Sequence, residues 1–302
     1  MFKLLALCLI FVASADDRVP VVVPVRGTHF AWAATMRATM DAFSADTFRL
    51  VFIFSSEAAM LESGLDCSRD CMVAEYTNLN PRNHVTFKKF WALREMCMLG
   101  HEYVIAPDAD AVFTRPATRL LESLREQDAE RAIWASYLGH NEYRATIQRN
   151  AGGWLEGMRK DEWDRAVAGL YSWWNVIPSF RCSHMTHFLE VVGFPNRVET
   201  FGFENFDHIV YQSYLYSYQN FSIRTTPGRG VCNYVETMCS CSREEIKEFT
   251  DVVRPLWLPL CTALQVPLDS YGFMRFHADR GPEARTALDQ LLKNITYVGP
   301  LP

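Results

Sequence analysis

The sequence predicts an α/β protein with a mainly parallel central sheet that helices flank. Two observations carry this prediction. Apolar β-branched runs typical of buried strands alternate with segments of helical periodicity, and an acidic motif directly follows one of the runs. The composition agrees, because 302 residues with 49% apolar and 22% charged residues are typical of a globular chain with a large core. It excludes disorder, collagen-like repeats and a coiled coil as descriptions of the whole chain.

Each element follows from its own local pattern. Residues 19–25 (VPVVVPV) and 49–55 (RLVFIFS) are runs typical of buried strands, and residues 28–45 between them predict a helix. Helical periodicity over 86–99 ends at Gly100, which we expect as the C-terminal cap. The other predicted elements are strands at 72–76, 103–106 and 132–137 and helices at 120–131, 183–192 and 206–216.

The charge of the chain limits its partners. Its 30 lysines and arginines stand against 35 aspartates and glutamates, which gives a net charge of −5. This balance argues against nucleic acid as the main partner, although a local basic patch can still bind an anion.

The first fifteen residues have the anatomy of a secretory signal peptide. Lys3 supplies a positive charge, residues 4–12 form an apolar run, and Ala13-Ser14-Ala15 matches the small-x-small cleavage pattern. A membrane anchor and a buried strand are the alternatives, but the run is far shorter than the ~20 residues that span a bilayer. Residues 16–302 are therefore expected in the lumen of the secretory pathway (endoplasmic reticulum or Golgi) or outside the cell, without a membrane span after cleavage.

Cysteines and two tripeptides agree with that compartment. Cleavage leaves an even number of cysteines, which permits disulfides in an oxidising lumen, whereas their spacing fits no common zinc pattern. Cys97 lies in an apolar helical pattern and is expected as a free core thiol. Asn220-Phe221-Ser222 and Asn294-Ile295-Thr296 are acceptor tripeptides for N-glycosylation, of a kind that also arises often by chance. The cysteines expected in disulfides are Cys67, Cys71, Cys232, Cys239 and Cys241.

The most informative motif is Asp108-Ala109-Asp110, which directly follows the predicted strand 103–106. In open α/β sheets, ligands bind outside the carboxyl ends of the strands. Two carboxylates at such a place can hold a hard divalent cation, which in turn binds phosphate oxygens. An acidic turn that caps the next segment is the structural alternative.

Two enzyme classes carry such a strand. Phosphatases of the haloacid dehalogenase type have the motif D-x-D-x-[TV], which Asp108, Asp110 and Val112 match locally. That class has the motif on its first strand, however, whereas three predicted strands and two helices precede it here. The second class is the metal-dependent glycosyltransferases of the GT-A, or nucleotide-diphospho-sugar transferase, fold. The chain resembles these over most of residues 16–302.

This resemblance depends on the order of the motifs. Downstream of the D-x-D motif, residues 201–207 (FGFENFD) resemble the W-G-W-E-D-D-D segment of β-1,4-galactosyltransferases. Met274-x-x-His277 is similar to the M-x-x-H metal pair of those enzymes. Asn205 and Phe206 replace two of the acids and phenylalanines replace both tryptophans, so the sugar is not carried over.

The resemblance implies one continuous domain over 16–302, with a nucleotide-sugar-binding half at 16–137 and an acceptor-side half at 138–302. It implies transfer of a sugar from a nucleotide-diphosphate donor to a hydroxyl of a carbohydrate or glycoconjugate acceptor, with Mn²⁺ or Mg²⁺. The residues that it implies are Asp108, Asp110 and His277 for the metal, Asp108, Lys88 and Asn175 for the donor, and Glu204 or Asp207 as the base if the configuration inverts.

Alternatives remain for these roles and for the whole chain. Glu204 and Asp207 precede a predicted helix, where acids also stabilise the helix N-terminus. At least one of Lys88 and Lys89 is expected on a solvated helix face. A secreted, inactive carbohydrate-binding relative of the glycosyltransferases and a D-x-D phosphatase are the alternative functions.

Overall fold

The computed structural model describes residues 16–225 with short gaps, together with residues 273–275. The gaps are residues 69, 77–82, 110, 114–117, 138–141, 153, 156–157, 172–177 and 202–204. The strands of the described ranges are β1 Val19–Pro24, β2 Phe48–Phe54, β3 Cys71–Val73, β4 Tyr103–Ile105, β5 Ala111–Phe113, β6 Ala132–Tyr137, β7 Leu170–Tyr171, β8 Ser179–Arg181, β9 Ser222–Thr225 and β10 Phe273–Arg275. The α-helices are α1 Phe30–Phe43, α2 Glu57–Glu62, α3 His84–Met98, α4 Thr118–Glu130, α5 Glu142–Gly152, α6 Lys160–Ala166, α7 Cys182–Val192 and α8 Asp207–Tyr218.

The largest sheet has the strand order β3-β2-β1-β4-β8. Its first four strands are parallel, and β8 pairs with β4 in the antiparallel direction. This confirms the predicted fold class, a mainly parallel sheet with helices around it. Two smaller sheets have the orders β7-β6-β9 and β10-β5. The two larger sheets each combine strands from the two predicted halves of the chain.

Each face of the largest sheet carries its own apolar cluster. Val22 of β1 belongs to a cluster with Phe90 of α3 and Phe188 of α7. Its neighbours Val21 and Val23 belong to a second cluster, which includes residues of α1. Because successive residues of a strand face opposite sides, a strand covered on both sides must be apolar throughout. That explains the uninterrupted run that predicts β1.

Helix α3 contains Lys88 and Lys89, which are buried, and it ends where the sequence predicts. Leu99 caps it, and Gly100 follows with a φ of 90°, a left-handed conformation that favours glycine. The predicted single helix over 28–45 is a short 3-10 helix, Gly27–His29, followed by α1. The predicted strand 72–76 is the shorter β3.

Two disulfides cross-link the described chain. Cys67 and Cys71 are bonded, which confirms one prediction. Cys97 is bonded to Cys182, so the expectation that Cys97 is a free core thiol is wrong. Helical periodicity shows that Cys97 faces the core but not which element packs against it, and that element is α7. The group Cys232, Cys239 and Cys241 lies outside the described residues.

No helix in the described part of the chain is both long and apolar enough to cross a bilayer. The predicted signal peptide, residues 1–15, lies outside that part. Lumenal location therefore stays a prediction.

Candidate functional site

The order of the strands places the candidate site at one end of the sheet. The chain proceeds from β1 to β2 and β3 on one side, and then crosses over through α3 to β4 on the other side of β1. In open sheets, ligands bind at the carboxyl ends of the strands where the order reverses in this way. Val25 and Arg26 directly follow β1, and Asp108 lies three residues beyond β4. These residues border the crevice that the topology predicts.

Lys89 of α3 is the centre of the charged groups at this crevice. Its Nζ lies 2.9 Å from Oδ1 of Asp108 and 3.2 Å from Oδ2 of Asp207, and it donates a hydrogen bond of 3.4 Å to Oδ1 of Asp207. The side chain of Lys89 is 3% exposed, and that of Asp207 is 6% exposed. Asp108 is 28% exposed, so its carboxylate connects this buried pair with solvent.

The pairing decides the charge state of the buried groups. Burial alone lowers the pKa of Lys89, but the nearby carboxylates of Asp108 and Asp207 outweigh it, and the pKa is raised. Burial alone raises the pKa of Asp207, but Lys89 and the neighbouring His208 outweigh it, and the pKa is lowered. Lys89 and Asp207 are therefore both held in their charged forms.

Lys88 lies at the end of the neighbouring strand. It is buried, and its Nζ donates a hydrogen bond of 2.7 Å to the carbonyl oxygen of Val25. Burial, together with the charge of Arg26, lowers the pKa of Lys88 to about 8. The expectation that at least one of Lys88 and Lys89 lies on a solvated helix face is wrong, because the carboxyl ends of β1 and β4 cover both.

Asp207 is the first residue of α8, where a carboxylate interacts favourably with the helix dipole. It is buried and bonded to Lys89, and its pKa is lowered. An efficient general base has a pKa near the working pH, which these surroundings oppose. Asp207 therefore suits a positioning role better than proton abstraction. Glu204, the other predicted base, lies outside the described residues.

The predicted metal ligands are only partly covered by the structure. Asp108 offers a partly exposed carboxylate, a hard oxygen donor of the type that Mn²⁺ and Mg²⁺ prefer, so it fits such a cation. Asp110 and His277 lie outside the described residues, as does Asn175, the predicted donor contact. Within the residues that the structure does describe, no group of three or more histidine, cysteine, aspartate or glutamate side chains is arranged to hold a metal ion.

A backbone pairing brings two distant motifs together. β10 pairs with β5 in the antiparallel direction, with Met274 opposite Val112 and Arg275 opposite Ala111. Ala111 directly follows the D-x-D motif, and Arg275 lies inside the M-x-x-H motif. The D-x-D and M-x-x-H motifs, which the resemblance implies as one metal site, are thus joined by a strand pair.

The pairing of Lys89 with Asp108 and Asp207 was not predicted from the sequence. The signal was present, because residues 89, 92 and 96 share one stripe of a helix and Ala92 and Met96 are apolar. A lysine on such a stripe is buried when α3 packs, and a buried lysine keeps its charge only when an acidic group pairs with it. The pattern does not reveal that Asp108 and Asp207 are those partners.

Comparison with known proteins gives structural likenesses alone. The chain matches no protein-family model and no curated protein. It is similar to the galactosyltransferase LgtC, solved with donor and acceptor sugar analogues, at 14% identity and a TM-score of 0.44 over 94% of this chain and 98% of that one. It is similar to an active-site mutant of LgtC at 13% identity and a TM-score of 0.44, over 90% and 95% of the two chains.

A third solved structure is the bifunctional glycosyltransferase WbbM in its apo form. The identity is 9% and the TM-score 0.45, over 94% of this chain and 52% of that one. All three proteins are glycosyltransferases, the class that the sequence resembles. At TM-scores below 0.5 the likenesses carry no weight for function, which rests on the site itself.

Proposed function

We propose that this chain is a glycosyltransferase that moves a sugar from a nucleotide-diphosphate donor to an acceptor hydroxyl with the help of Mn²⁺. The observation that carries the proposal is the position of Asp108. Its carboxylate lies at the carboxyl end of β4, at the reversal of strand order, and the pairing of β10 with β5 joins the motif that contains it to the M-x-x-H motif. This is where an open α/β sheet binds its ligand.

The divalent cation would be held by Asp108 together with Asp110 and His277. A bound cation supplies Lewis-acid stabilisation of the negative charge that develops on the departing nucleotide diphosphate. Lys89 orients Asp108 for this task, because its ammonium nitrogen lies 2.9 Å from one carboxylate oxygen.

The cations next to β1 suit the donor's phosphates. Arg26 is exposed and its charge acts on Lys88, which uses one of its three N–H groups in a bond to the carbonyl of Val25. A diphosphate at this strand end would gain charge-assisted hydrogen bonds from such groups. Asn175 is proposed as a further contact to the sugar hydroxyls.

Glu204 is the proposed base that accepts the proton of the acceptor hydroxyl if the reaction inverts the configuration. A retaining reaction needs no base on that face. Asp207 positions α8 and Lys89 instead, because its carboxylate is buried in the ion pair. The two outcomes differ in the anomeric configuration of the product, which NMR of the product sugar reports directly.

The test combines nucleotide binding with turnover. Thermal unfolding of the full chain is followed with UDP, GDP and CMP, each with and without Mn²⁺, and nucleotide release is then measured from the sugar nucleotides of the base that binds. We expect one nucleotide to stabilise the protein only with Mn²⁺, by about 2.7 kcal/mol at a hundredfold excess over its Kd. Asp108→Asn should lose this stabilisation, whereas Glu190→Gln, on an exposed face of α7, should keep it.

Two results would contradict the proposal. Phosphate release from an aryl phosphate without any nucleotide sugar would favour the phosphatase. Binding of a carbohydrate without nucleotide binding or release would favour the inactive carbohydrate-binding protein.

A further inference from the structure

We propose that Asn220 is an N-glycosylated residue, carrying an oligosaccharide that lies at the end of α8 remote from the candidate site. The proposal rests on the predicted lumenal location and not on sugar transfer by this chain. It goes beyond the tripeptide Asn220-Phe221-Ser222, because the structure shows what each of the three residues does once the chain has folded.

Asn220 itself presents its side chain to solvent. It is exposed in the turn that joins α8 to β9, and its side-chain amide makes no hydrogen bond with the residues that the structure describes. Its φ is 56°, in the left-handed region, which asparagine tolerates better than most residues. The turn therefore has a reason to hold asparagine, and the exposed side chain is accessible for modification.

The two following residues are committed to the fold. Phe221 is buried, and its N–H donates to the carbonyl of Leu215 at 3.1 Å. The N–H of Ser222 donates to the carbonyl of Arg131 at 2.8 Å, and Ser222 pairs with Ala132 as β9 aligns with β6. An enzyme that must bind the tripeptide as a free peptide can do so only before β9 pairs with β6. Attachment therefore precedes folding of this sheet.

The chemistry needs a co-reactant that the secretory lumen supplies, a lipid-diphosphate-linked oligosaccharide. Nδ2 of Asn220 forms a bond to C1 of the first sugar while the bond from C1 to the diphosphate oxygen breaks. The lipid diphosphate leaves with the electron pair of that bond, and Nδ2 loses one proton to a base of the enzyme that attaches the oligosaccharide. The product is a neutral secondary amide, which preserves the charge of the turn.

The position of the glycan explains why the fold accepts it. Among the described strands, β9 lies at one end of the sheet β7-β6-β9. A glycan on Asn220 lies two positions before the start of this strand. Asp207 lies at the other end of α8, and 12 residues of helix span about 18 Å, so the glycan leaves the candidate site clear.

The experiment uses the full chain with residues 1–15, produced in a eukaryotic secretory host. The secreted protein is treated with an amidase that removes N-glycans in H₂¹⁸O, which converts a glycosylated asparagine to ¹⁸O-labelled aspartate. Trypsin then releases residues 198–224, in which Asn220 is the one asparagine within an acceptor tripeptide. We expect the label at Asn220 in most of the protein.

Matched variants make the assignment specific. Asn220→Asp keeps a residue that tolerates the left-handed turn, and Ser222→Ala keeps the asparagine, so both should lose one glycan without loss of folding. Asn196→Gln, exposed but outside any acceptor tripeptide, should lose none. Unlabelled Asn220 beside a labelled Asn294 would overturn the site, and unlabelled protein retained inside the cell would overturn its lumenal basis. Sugar transfer by Asn220→Asp should match the parent protein, so either proposal can fail alone.

Discussion

Lys89 and Asp207 lie 118 positions apart in the chain and meet in a buried ion pair, with 3.2 Å between Nζ and Oδ2. The pair joins α3 to α8 directly beside Asp108, the third member of the cluster. Two charges taken out of water are expensive, and their attraction compensates only while both partners are present. Removing one partner is therefore much more costly than the net contribution of the pair.

We expect Lys89→Met to lower the free energy of unfolding by about 3–5 kcal/mol, because it leaves buried carboxylate charge without its counterion. Urea unfolding monitored by tryptophan fluorescence measures the change. The double variant Lys89→Met with Asp207→Asn should recover part of the loss, since it removes the uncompensated charge as well.

Lys160 provides the control for Lys89. It pairs with Asp164 one helical turn away, in a bridge whose lysine side chain is 49% exposed. Lys160→Met should therefore change the free energy of unfolding by less than about 1 kcal/mol. If Lys89→Met costs no more than this, the buried cluster stabilises the fold no more than an exposed ion pair does.

Lys88 makes the stability depend on pH above neutrality. Its folded pKa of about 8 lies below the 10.5 of an unperturbed lysine, so the unfolded chain binds more protons between these values. Stability must then rise with pH across this window, by about 2 kcal/mol between pH 7.5 and 9.5 from this group. Urea unfolding at both pH values should show the rise in the parent protein and in Lys160→Met. If the rise in stability with pH persists in Lys88→Met, Lys88 is not the group that causes it.

The two disulfides should differ in their contribution to stability. Cys97 and Cys182 are separated by 85 positions and Cys67 and Cys71 by 4. In the chain-entropy treatment, closing the longer loop stabilises the fold by about 4.5 kcal/mol and the shorter by about 2 kcal/mol. Replacing each pair by alanines and measuring thermal unfolding tests the order. Equal losses would show that loop closure in the unfolded chain does not dominate.

The long elements of the fold are predictable from sequence because their local patterns are strong. The runs at 19–25 and 49–55 predict β1 and β2, since a strand buried on both faces has apolar residues throughout. The short strands β5, β8, β9 and β10 give no periodic signal of their own in the sequence. They form because a partner strand holds them, and the partner is remote in sequence.

The candidate site also has one part that the sequence predicts and one part that it does not. Asp108 is predictable, because a strand and the acid at its end are neighbours in sequence. The pairing of Lys89 with Asp207 depends on how α3 packs against α8, which no local pattern encodes. The bond between Cys97 and Cys182 depends likewise on α3 packing against α7. Local chemistry therefore predicts where the crevice lies, and tertiary packing decides which charges meet there.

The pairing of β10 with β5 leads to the last prediction, a shared metal site for Asp110 and His277. Arg275 lies opposite Ala111. Asp110 precedes Ala111, and His277 follows Arg275 by two residues, while each residue advances the chain by at most about 3.6 Å. We therefore expect both side chains to reach one ion with Asp108. Carboxylates suit Mn²⁺ better than neutral imidazole does, so they are the primary ligands.

Turnover of the nucleotide sugar is measured while Mn²⁺ is titrated. Asp110→Asn keeps the volume of the side chain but removes its charge, so metal-dependent turnover should be nearly abolished. His277→Ala should weaken the apparent affinity for Mn²⁺ about tenfold, or about 1.4 kcal/mol, and turnover should recover at higher Mn²⁺. Glu190→Gln should leave the titration unchanged. An unchanged titration in His277→Ala would remove the histidine from the site. Full metal-dependent turnover in Asp110→Asn would remove the D-x-D motif from the metal site and, with it, the chemical basis of the proposed function.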